Sequence, residues 1–259
     1  MPSAPQVHAC LWCGATRYAP SLEHIIPEAL GCPEGFVLHE GVCERCNNGL
    51  GHVDQALVRQ FEVQTVMAGI PRKKGRRPTI EGWAPLRGAQ GPNGPILHLN
   101  AGPDDVIIDG RPLKPAGRAT GIHSVEMSRD GRVGTLRFSM DIGRDPKLRR
   151  ALYKIGLETV ALYFGLPRAL DPAFDPVRAY VRHSAGDFAV IVMDAGAGDG
   201  HEVSAPWKGP EGLIVPVTIF GVSFLLDLLQ DQKGLDRIEG ELRKTRGGEG
   251  WSRLGGRRP

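Results

Sequence analysis

The chain has 259 residues, of which 41% are hydrophobic and 24% charged, and its formal net charge is +3. This composition excludes a wholly disordered chain and leaves enough apolar residues for a sizeable core. No apolar run approaches the roughly 20 residues of a membrane-spanning helix, and the N-terminus lacks the charged-then-apolar layout of a secretory signal. We therefore expect a cytoplasmic protein with no membrane partner.

Four of the five cysteines form two CxxC pairs near the N-terminus, namely Cys10, Cys13, Cys43 and Cys46. Gly14 follows the first pair, where a glycine permits the tight turn of a zinc knuckle. In a reducing compartment this pattern favours ligands of one structural Zn2+ over a disulfide framework, a redox CxxC or an iron–sulfur site. Cys32 is left over, and we predict that it is not a ligand because four thiolates complete a tetrahedral set.

A short strand and a helix are predicted in this cysteine-rich region. The segment Glu23-His24-Ile25-Ile26-Pro27 has an apolar run that ends at a proline, which favours a strand. Neighbouring residues of a strand point to opposite faces, so Glu23 and His24 address one site only at a bend or bulge. Apolar residues then recur at helical spacing over residues 50–57, and Asn47 lies near the predicted helix start, where asparagine is a common N-cap.

Three motifs follow one another between residues 10 and 57: CxxCG, then SxEHIIPExLG, then VCxxCNNxLGxxVDxxL. In this order and at these gaps they resemble the HNH nucleases with a zinc-finger scaffold. The resemblance covers roughly a fifth of the chain and implies a ββα-metal fold for that part.

The resemblance also implies roles for individual residues. By the family's pattern His24 is the general base that deprotonates the attacking water, and a neutral imidazole can accept a proton near pH 7. Glu23 and Asn47 correspond to ligands of one divalent ion at the scissile phosphate, distinct from the structural zinc. Carboxylate and amide oxygens suit Mg2+ or Mn2+. The family's middle residue, usually Asn or His in the loop before the second CxxC, has His39 as its nearest candidate.

A basic run follows the predicted nuclease module and comprises Arg72, Lys73, Lys74, Arg76 and Arg77. Charge runs are commonly solvated faces or linkers, but the position of this one also favours contact with phosphates. In the second interpretation these five residues bind the substrate.

Short strands and one prominent amphipathic helix are predicted beyond the basic run. Strand patterns cover residues 96–99, 106–108 and 134–140, and residues 147–165 form the strongest helical pattern. Apolar segments at residues 187–193 and 213–226 are expected to build an antiparallel sheet against that helix. Two of the helix's basic residues, Arg149 and Lys154, are interpreted as solvated charges or, alternatively, as contacts with nucleic acid.

The sequence as a whole predicts an α+β protein. We expect a zinc-bound ββα-metal HNH module at residues 1–70, a basic linker at 71–78, a β-rich α+β accessory domain at 79–240 and a mobile Gly/Arg-rich tail at 241–259. The C-terminal domain is where a second copy or a protein partner would bind.

Two functions from different classes remain open at this point. The first is a metal-dependent endonuclease that hydrolyses phosphodiester bonds in nucleic acid, with DNA favoured over RNA. The second is a zinc-stabilised module that binds nucleic acid or protein and has lost catalysis.

Overall fold

The computed structural model describes residues 9–71, 142–143, 145–194, 198, 200–209 and 212–256, together with the strands found between residues 86 and 140. The helices are α1 (Glu44–Gln60), α2 (Glu62–Met67), α3 (Lys147–Phe164), α4 (Leu166–Ala169), α5 (Asp175–His183) and α6 (Lys233–Arg246). The strands of the N-terminal and middle regions are β1 (Glu23–His24), β2 (Val37–Leu38), β3 (Leu86–Ala89), β4 (Ile96–Leu99), β5 (Asp105–Ile108), β6 (Arg111–Leu113), β7 (Ile122–Asp130) and β8 (Val133–Met140). Those of the C-terminal region are β9 (Val190–Asp194), β10 (His201–Val203), β11 (Trp207–Lys208), β12 (Leu213–Ile219), β13 (Val222–Asp227) and β14 (Trp251–Leu254).

The N-terminal region folds as two short strands followed by a helix, so the predicted ββα order is confirmed. Strands β1 and β2 pair antiparallel, and α1 begins directly after them. The apolar stripe of α1 is buried, as its helical spacing predicts, and includes Leu50, Val53 and Leu57. The helix starts at Glu44, so Asn47 lies inside its first turn and the predicted N-cap role of Asn47 is wrong.

A six-stranded antiparallel sheet dominates the C-terminal region, with the order β10, β12, β13, β9, β14 and with β11 paired to β12. Strands β12 and β13 form a hairpin whose two turn residues, Phe220 and Gly221, have φ angles of 49° and 79°. Positive φ at both positions is typical of a type I′ turn, whose twist matches that of paired strands. The antiparallel sheet predicted from the apolar segments is therefore confirmed.

Helix α3 packs on this sheet and is much more deeply buried than its amphipathic pattern indicates. Every residue from 150 to 161 is buried, including the polar residues Arg150, Lys154 and Glu158. A Cβ atom on Gly156 would lie 3.1 Å from side-chain carbons of Leu226 and Leu228, so glycine is what permits the close approach of helix and sheet. The predicted start of α3 is correct and its end lies one residue earlier than predicted, but it is a central helix because residues of the N-terminal region cover its other side.

The chain forms two compact units that do not follow the predicted boundaries. The first comprises Met1–Glu28, Cys32–Leu57 and Asp145–Pro259, and the second comprises Ala29–Gly31 and Val58–Arg144. The cysteine region therefore shares its compact unit with the C-terminal sheet. In the second unit β3 pairs with β4, and a four-stranded sheet has the order β6, β5, β7, β8. Strands β4, β5 and β8 coincide closely with the three strands predicted there.

The predicted mobile tail contains regular structure over most of its length. Helix α6 extends to Arg246, and β14 pairs with β9 at the edge of the sheet. Arg253 in β14 forms ion pairs with Asp236 at 2.7 Å and Glu239 at 2.5 Å. Gly and Arg content does not indicate these ordered elements, in which Arg253 finds partners on α6, and the mobility of the tail stays a prediction. Within the described part of the chain, no helix has the length and apolar character needed to cross a bilayer.

Candidate metal centre and active site

The four CxxC cysteines converge on one point. The sulfur atoms of Cys10, Cys13, Cys43 and Cys46 all lie within 4.8 Å of one another. Cys13 Sγ and Cys43 Sγ are 3.9 Å apart, close to the roughly 3.8 Å edge of a tetrahedron with Zn–S distances of about 2.3 Å. The cluster can therefore hold one structural zinc ion with a full set of thiolate ligands.

Local backbone geometry explains why the two pairs meet. Gly14, with φ of 71°, donates its N–H to the carbonyl of Cys10 and closes the first knuckle. The second pair spans the start of α1, and the N–H of Cys46 donates to Cys43 Sγ at 3.3 Å. The N–H of Cys43 donates to Cys10 Sγ at 3.4 Å, which joins the two knuckles. Such N–H donors favour negatively charged sulfur and suit thiolate ligands.

Burial has opposing effects on the thiols of this cluster. It raises the pKa of Cys10 and of Cys46, because a buried thiolate loses its hydration. Burial acts in the same direction at Cys13, but hydrogen bonds from Ala15 and the other thiols outweigh it and lower the pKa of Cys13. A divalent cation would therefore have to displace protons from the more buried members. Cys32 lies outside the cluster and donates to the carbonyl of Phe36 at 3.3 Å.

Strand β1 carries the two adjacent residues of the predicted site on opposite faces. Glu23 pairs in register with Leu38 and His24 pairs with Val37. Glu23 and Leu38 are buried, at 2% and 7% exposure, whereas His24 is only partly buried. The strand thus directs its carboxylate into the protein and its imidazole towards the more open face.

Asn47 connects the first turn of α1 to the entry of β1. Its side-chain nitrogen donates to Ser21 Oγ at 2.6 Å and to the carbonyl of Leu22 at 3.1 Å. The asparagine therefore lies against the residues that immediately precede Glu23 and His24. This places Asn47 beside the strand that carries the predicted base.

The other two histidines of this region lie on exposed positions. His39 follows the last residue of β2 and is exposed. His52 is exposed on α1, where its Nδ1 lies 2.9 Å from the carbonyl oxygen of Gly49. The structure leaves the role predicted for His39 as a prediction.

The carboxylate of Glu23 meets a lysine that is distant in sequence. Lys154 Nζ lies 2.5 Å from Glu23 Oε1, 3.2 Å from Asp54 Oδ1 and 3.5 Å from Glu158 Oε2. The Lys154 side chain is 1% exposed. The interpretation of Lys154 as a solvated or nucleic-acid-facing charge is therefore wrong. Arg149 likewise hydrogen-bonds Asp187 at 2.6 Å and the carbonyl of Phe188 at 2.8 Å.

Charge compensation in this cluster, which we call the Lys154 cluster (Lys154, Glu23, Asp54 and Glu158), is incomplete. Burial acts to lower the pKa of Lys154, but the three carboxylates outweigh it and raise that pKa, so the ammonium remains charged. Burial raises the pKa of Glu158 well above its ordinary value, although Lys154 acts in the opposite direction. Among the described residues, no hydrogen-bond partner is found for the buried atoms Glu23 Oε2 and Glu158 Oε2, although the latter lies 3.5 Å from the Lys154 ammonium.

One sequence signal points to part of the Lys154 cluster. Lys154 and Glu158 are four positions apart in a strong helical pattern, which places their side chains next to each other on one face of a helix. That spacing does not indicate burial, and nothing in the local pattern links α3 to Glu23, 131 residues earlier. The five basic residues at positions 72–77 lie outside the described residues, so their predicted role in substrate binding stays a prediction.

Comparison with protein families assigns a family to the N-terminal region. Residues 10–62 match the family described as HNH endonuclease. This range contains both CxxC pairs, both strands of the ββα unit and all of α1. No curated protein and no solved structure matches the chain. The resemblance predicted from the three motifs is confirmed for this fifth of the chain.

Proposed function

Because residues 10–62 carry the module of the HNH endonucleases, we propose that this protein is a metal-dependent endonuclease that hydrolyses phosphodiester bonds in nucleic acid. DNA is the expected substrate and RNA the alternative. The observation that carries the proposal is the placement of His24 on the open face of β1, with Asn47 bound to the residues just before it. A zinc scaffold alone would not require this arrangement.

We assign His24 the role of general base. Its partly buried imidazole can accept a proton from a water molecule at the open face while the strand keeps the ring in place. His39 is the second candidate at this face, because it follows β2, the strand paired with β1. We keep His39 as a proposed residue of the site and assign it no particular step of the reaction.

The proposed ion at this face is a hard divalent cation such as Mg2+ or Mn2+, and Asn47, whose side chain lies beside β1, is one proposed ligand. Glu23, the other proposed ligand, is buried on the opposite face of β1 from His24 and is paired with Lys154, so it fits the same ion only if the strand bends. Two protein ligands are sufficient for Mg2+, which commonly retains waters and binds substrate phosphate oxygens. Such an ion, when bound, would stabilise negative charge on the phosphate and the leaving oxygen.

The basic run at residues 72–77 is proposed to contact the phosphate backbone of the substrate. Five positive charges within six residues are typical of sequence-independent binding, which weakens as salt displaces the protein. Neutral replacement of all five should weaken binding and flatten its salt dependence in a mobility-shift titration. An unchanged salt slope would show that the run is only a linker.

A cleavage assay tests the proposed activity directly. The purified protein is incubated with plasmid, linear DNA, single-stranded DNA and RNA in the presence of Mg2+ or Mn2+. We expect wild-type protein to nick or cut DNA and His24→Ala to lose about 100-fold or more of the rate, the usual contribution of a general base. His52→Ala is the matched control, because it removes an exposed histidine of the same module.

Three outcomes of this assay are distinct. Cleavage by wild type and His52→Ala but not by His24→Ala supports the assignment. Equal cleavage by all three proteins would show that the named base is wrong. Binding of nucleic acid without cleavage by any of them would favour the second function, an inactive zinc-stabilised binding module.

A further inference from the structure

Lys154 contacts two elements of the nuclease module at once. Its ammonium binds Glu23 on β1 and Asp54 on α1, and both residues lie within the matched range. The third carboxylate, Glu158, accepts a hydrogen bond from Trp12 Nε1 at 3.2 Å. Trp12 lies between Cys10 and Cys13 in the first knuckle. One side chain of α3 thus reaches the strand and the helix directly, and the zinc knuckle through Glu158.

The strand that carries His24 is short. β1 is two residues long and its strand partner among the described residues is the two-residue β2, with single flanking backbone hydrogen bonds from Ile25 N–H to the carbonyl of Phe36 and from Ser21 N–H to the carbonyl of Val42. Short isolated strand pairs are marginally stable in water, so tertiary contacts must hold β1 in place. Glu23 supplies such a contact, because its 2% exposed carboxylate forms an ion pair with a lysine that is 1% exposed. A buried carboxylate that lost this partner would change its position or its charge.

We propose that Lys154 is a positioning residue of the nuclease site, which fixes Glu23 on β1 and Asp54 on α1 and so sets the placement of His24 relative to Asn47. This inference rests on the proposed function, because it concerns the geometry of the same site. Lys154 does not touch the reacting groups. It acts through Glu23, which adjoins the base in sequence, and through α1, on which Asn47 lies.

The test compares two substitutions at adjacent positions of α3. Lys154→Met removes the ammonium and keeps an unbranched side chain of similar length. Tyr153→Phe is the matched control: Tyr153 is fully buried, donates to the carbonyl of Ala189 at 2.7 Å and accepts from Gln232 at 2.7 Å, but these bonds reach the C-terminal part of the unit instead of β1. Both variants remove buried polar contacts of the same helix. Only the first removes a contact with Glu23.

Melting temperature, kcat and KM for DNA cleavage are measured for wild type and both variants, well below the lowest melting temperature. We expect both substitutions to lower the melting temperature. Lys154→Met should reduce kcat about tenfold or more with KM changed less than about twofold, the pattern of a group whose effect is confined to the chemical step. Tyr153→Phe should keep kcat within about twofold of wild type.

The outcomes separate this inference from the proposed function. If wild type and Tyr153→Phe cleave and Lys154→Met cleaves at the same kcat, Lys154 is structural only and the inference is overturned. If wild type cleaves no substrate, the proposed function itself fails. If Lys154→Met does not fold, the double variant Lys154→Met/Glu158→Gln replaces it in the kinetic measurements, because it leaves one fewer buried carboxylate without a cation. If the double variant is also unfolded, Lys154 is required for folding and the inference that it only positions the site is overturned.

Discussion

The four-cysteine cluster and the Lys154 cluster are two largely buried groups of the same compact unit, and they differ in the source of positive charge that suits them. The cysteines gather four ligand atoms within 4.8 Å of one another and suit an external cation. The Lys154 cluster gathers three carboxylates around one internal cation, a lysine on α3. The cysteine cluster has no cation of its own and suits a bound metal ion, whereas the carboxylates of the Lys154 cluster are paired with a cation that the chain supplies. The same small module thus combines a site that suits a metal ion with one in which the positive charge is a lysine of the chain itself.

Loss of the cysteine site should have the largest effect. Purified protein is expected to contain about one zinc per chain by elemental analysis, and Cys43→Ser should lose it together with the structure of residues 10–57. Structural zinc contributes roughly 10 kcal/mol or more to folding in small modules, so no other single change should be as destabilising. Cys32→Ser is the control, because this cysteine lies outside the cluster. Less than half an equivalent of zinc in the wild-type protein would contradict the interpretation of the four cysteines as a zinc site.

Loss of the internal cation should have the next largest effect. Lys154→Met leaves buried carboxylates unpaired and should lower the free energy of unfolding by about 3–5 kcal/mol. Removing both members of the closest pair, Lys154→Met with Glu23→Gln, should cost clearly less than the sum of the two single changes. Chemical denaturation of the four proteins measures this coupling. Strict additivity would mean that Lys154 and Glu23 do not stabilise each other.

The smallest effect is expected at Glu158, and it should depend on pH. The pKa of Glu158 is higher in the folded protein than in the unfolded chain, so folding disfavours the ionised form. This cost to stability is absent below the pKa that Glu158 has in the unfolded chain. It grows as pH rises towards the pKa that Glu158 has in the folded protein. Glu158→Gln removes this cost and can still accept the hydrogen bond from Trp12 Nε1. The difference in melting temperature between variant and wild type should therefore increase in favour of the variant from about pH 5 to pH 8. A difference that stays constant with pH would show that Glu158 does not titrate differently on folding.

Much of the N-terminal module follows from local sequence patterns. The spacing of the two CxxC pairs identifies four cysteines whose sulfur atoms converge, and the helical stripe from Leu50 to Leu57 identifies the buried face of α1. The adjacent positions of Glu23 and His24 also place them on opposite faces of a strand, as found. These predictions succeed because each depends on residues that are close in the chain, where backbone geometry fixes their relative direction.

Local patterns are less informative about the surroundings of an element. The apolar spacing predicts the position of α3, but it indicates a solvated Lys154, which is buried. The composition of the tail does not indicate that Arg253 pairs with two acidic residues of α6 or that β14 joins the sheet. In both cases charged side chains are neutralised by partners that lie far away or on another element, which a local pattern does not contain.

The sequence by itself determined the family of residues 10–62, the convergence of the four CxxC cysteines and the order of strands and helix that carries His24. Only the tertiary structure decided that the carboxylate beside His24 turns inward and that its partner is a lysine 131 residues away. The physical reason is the cost of an unpaired charge in the interior. Once Glu23 is buried a cation must accompany it, and which cation does so depends on how α3 packs against the module.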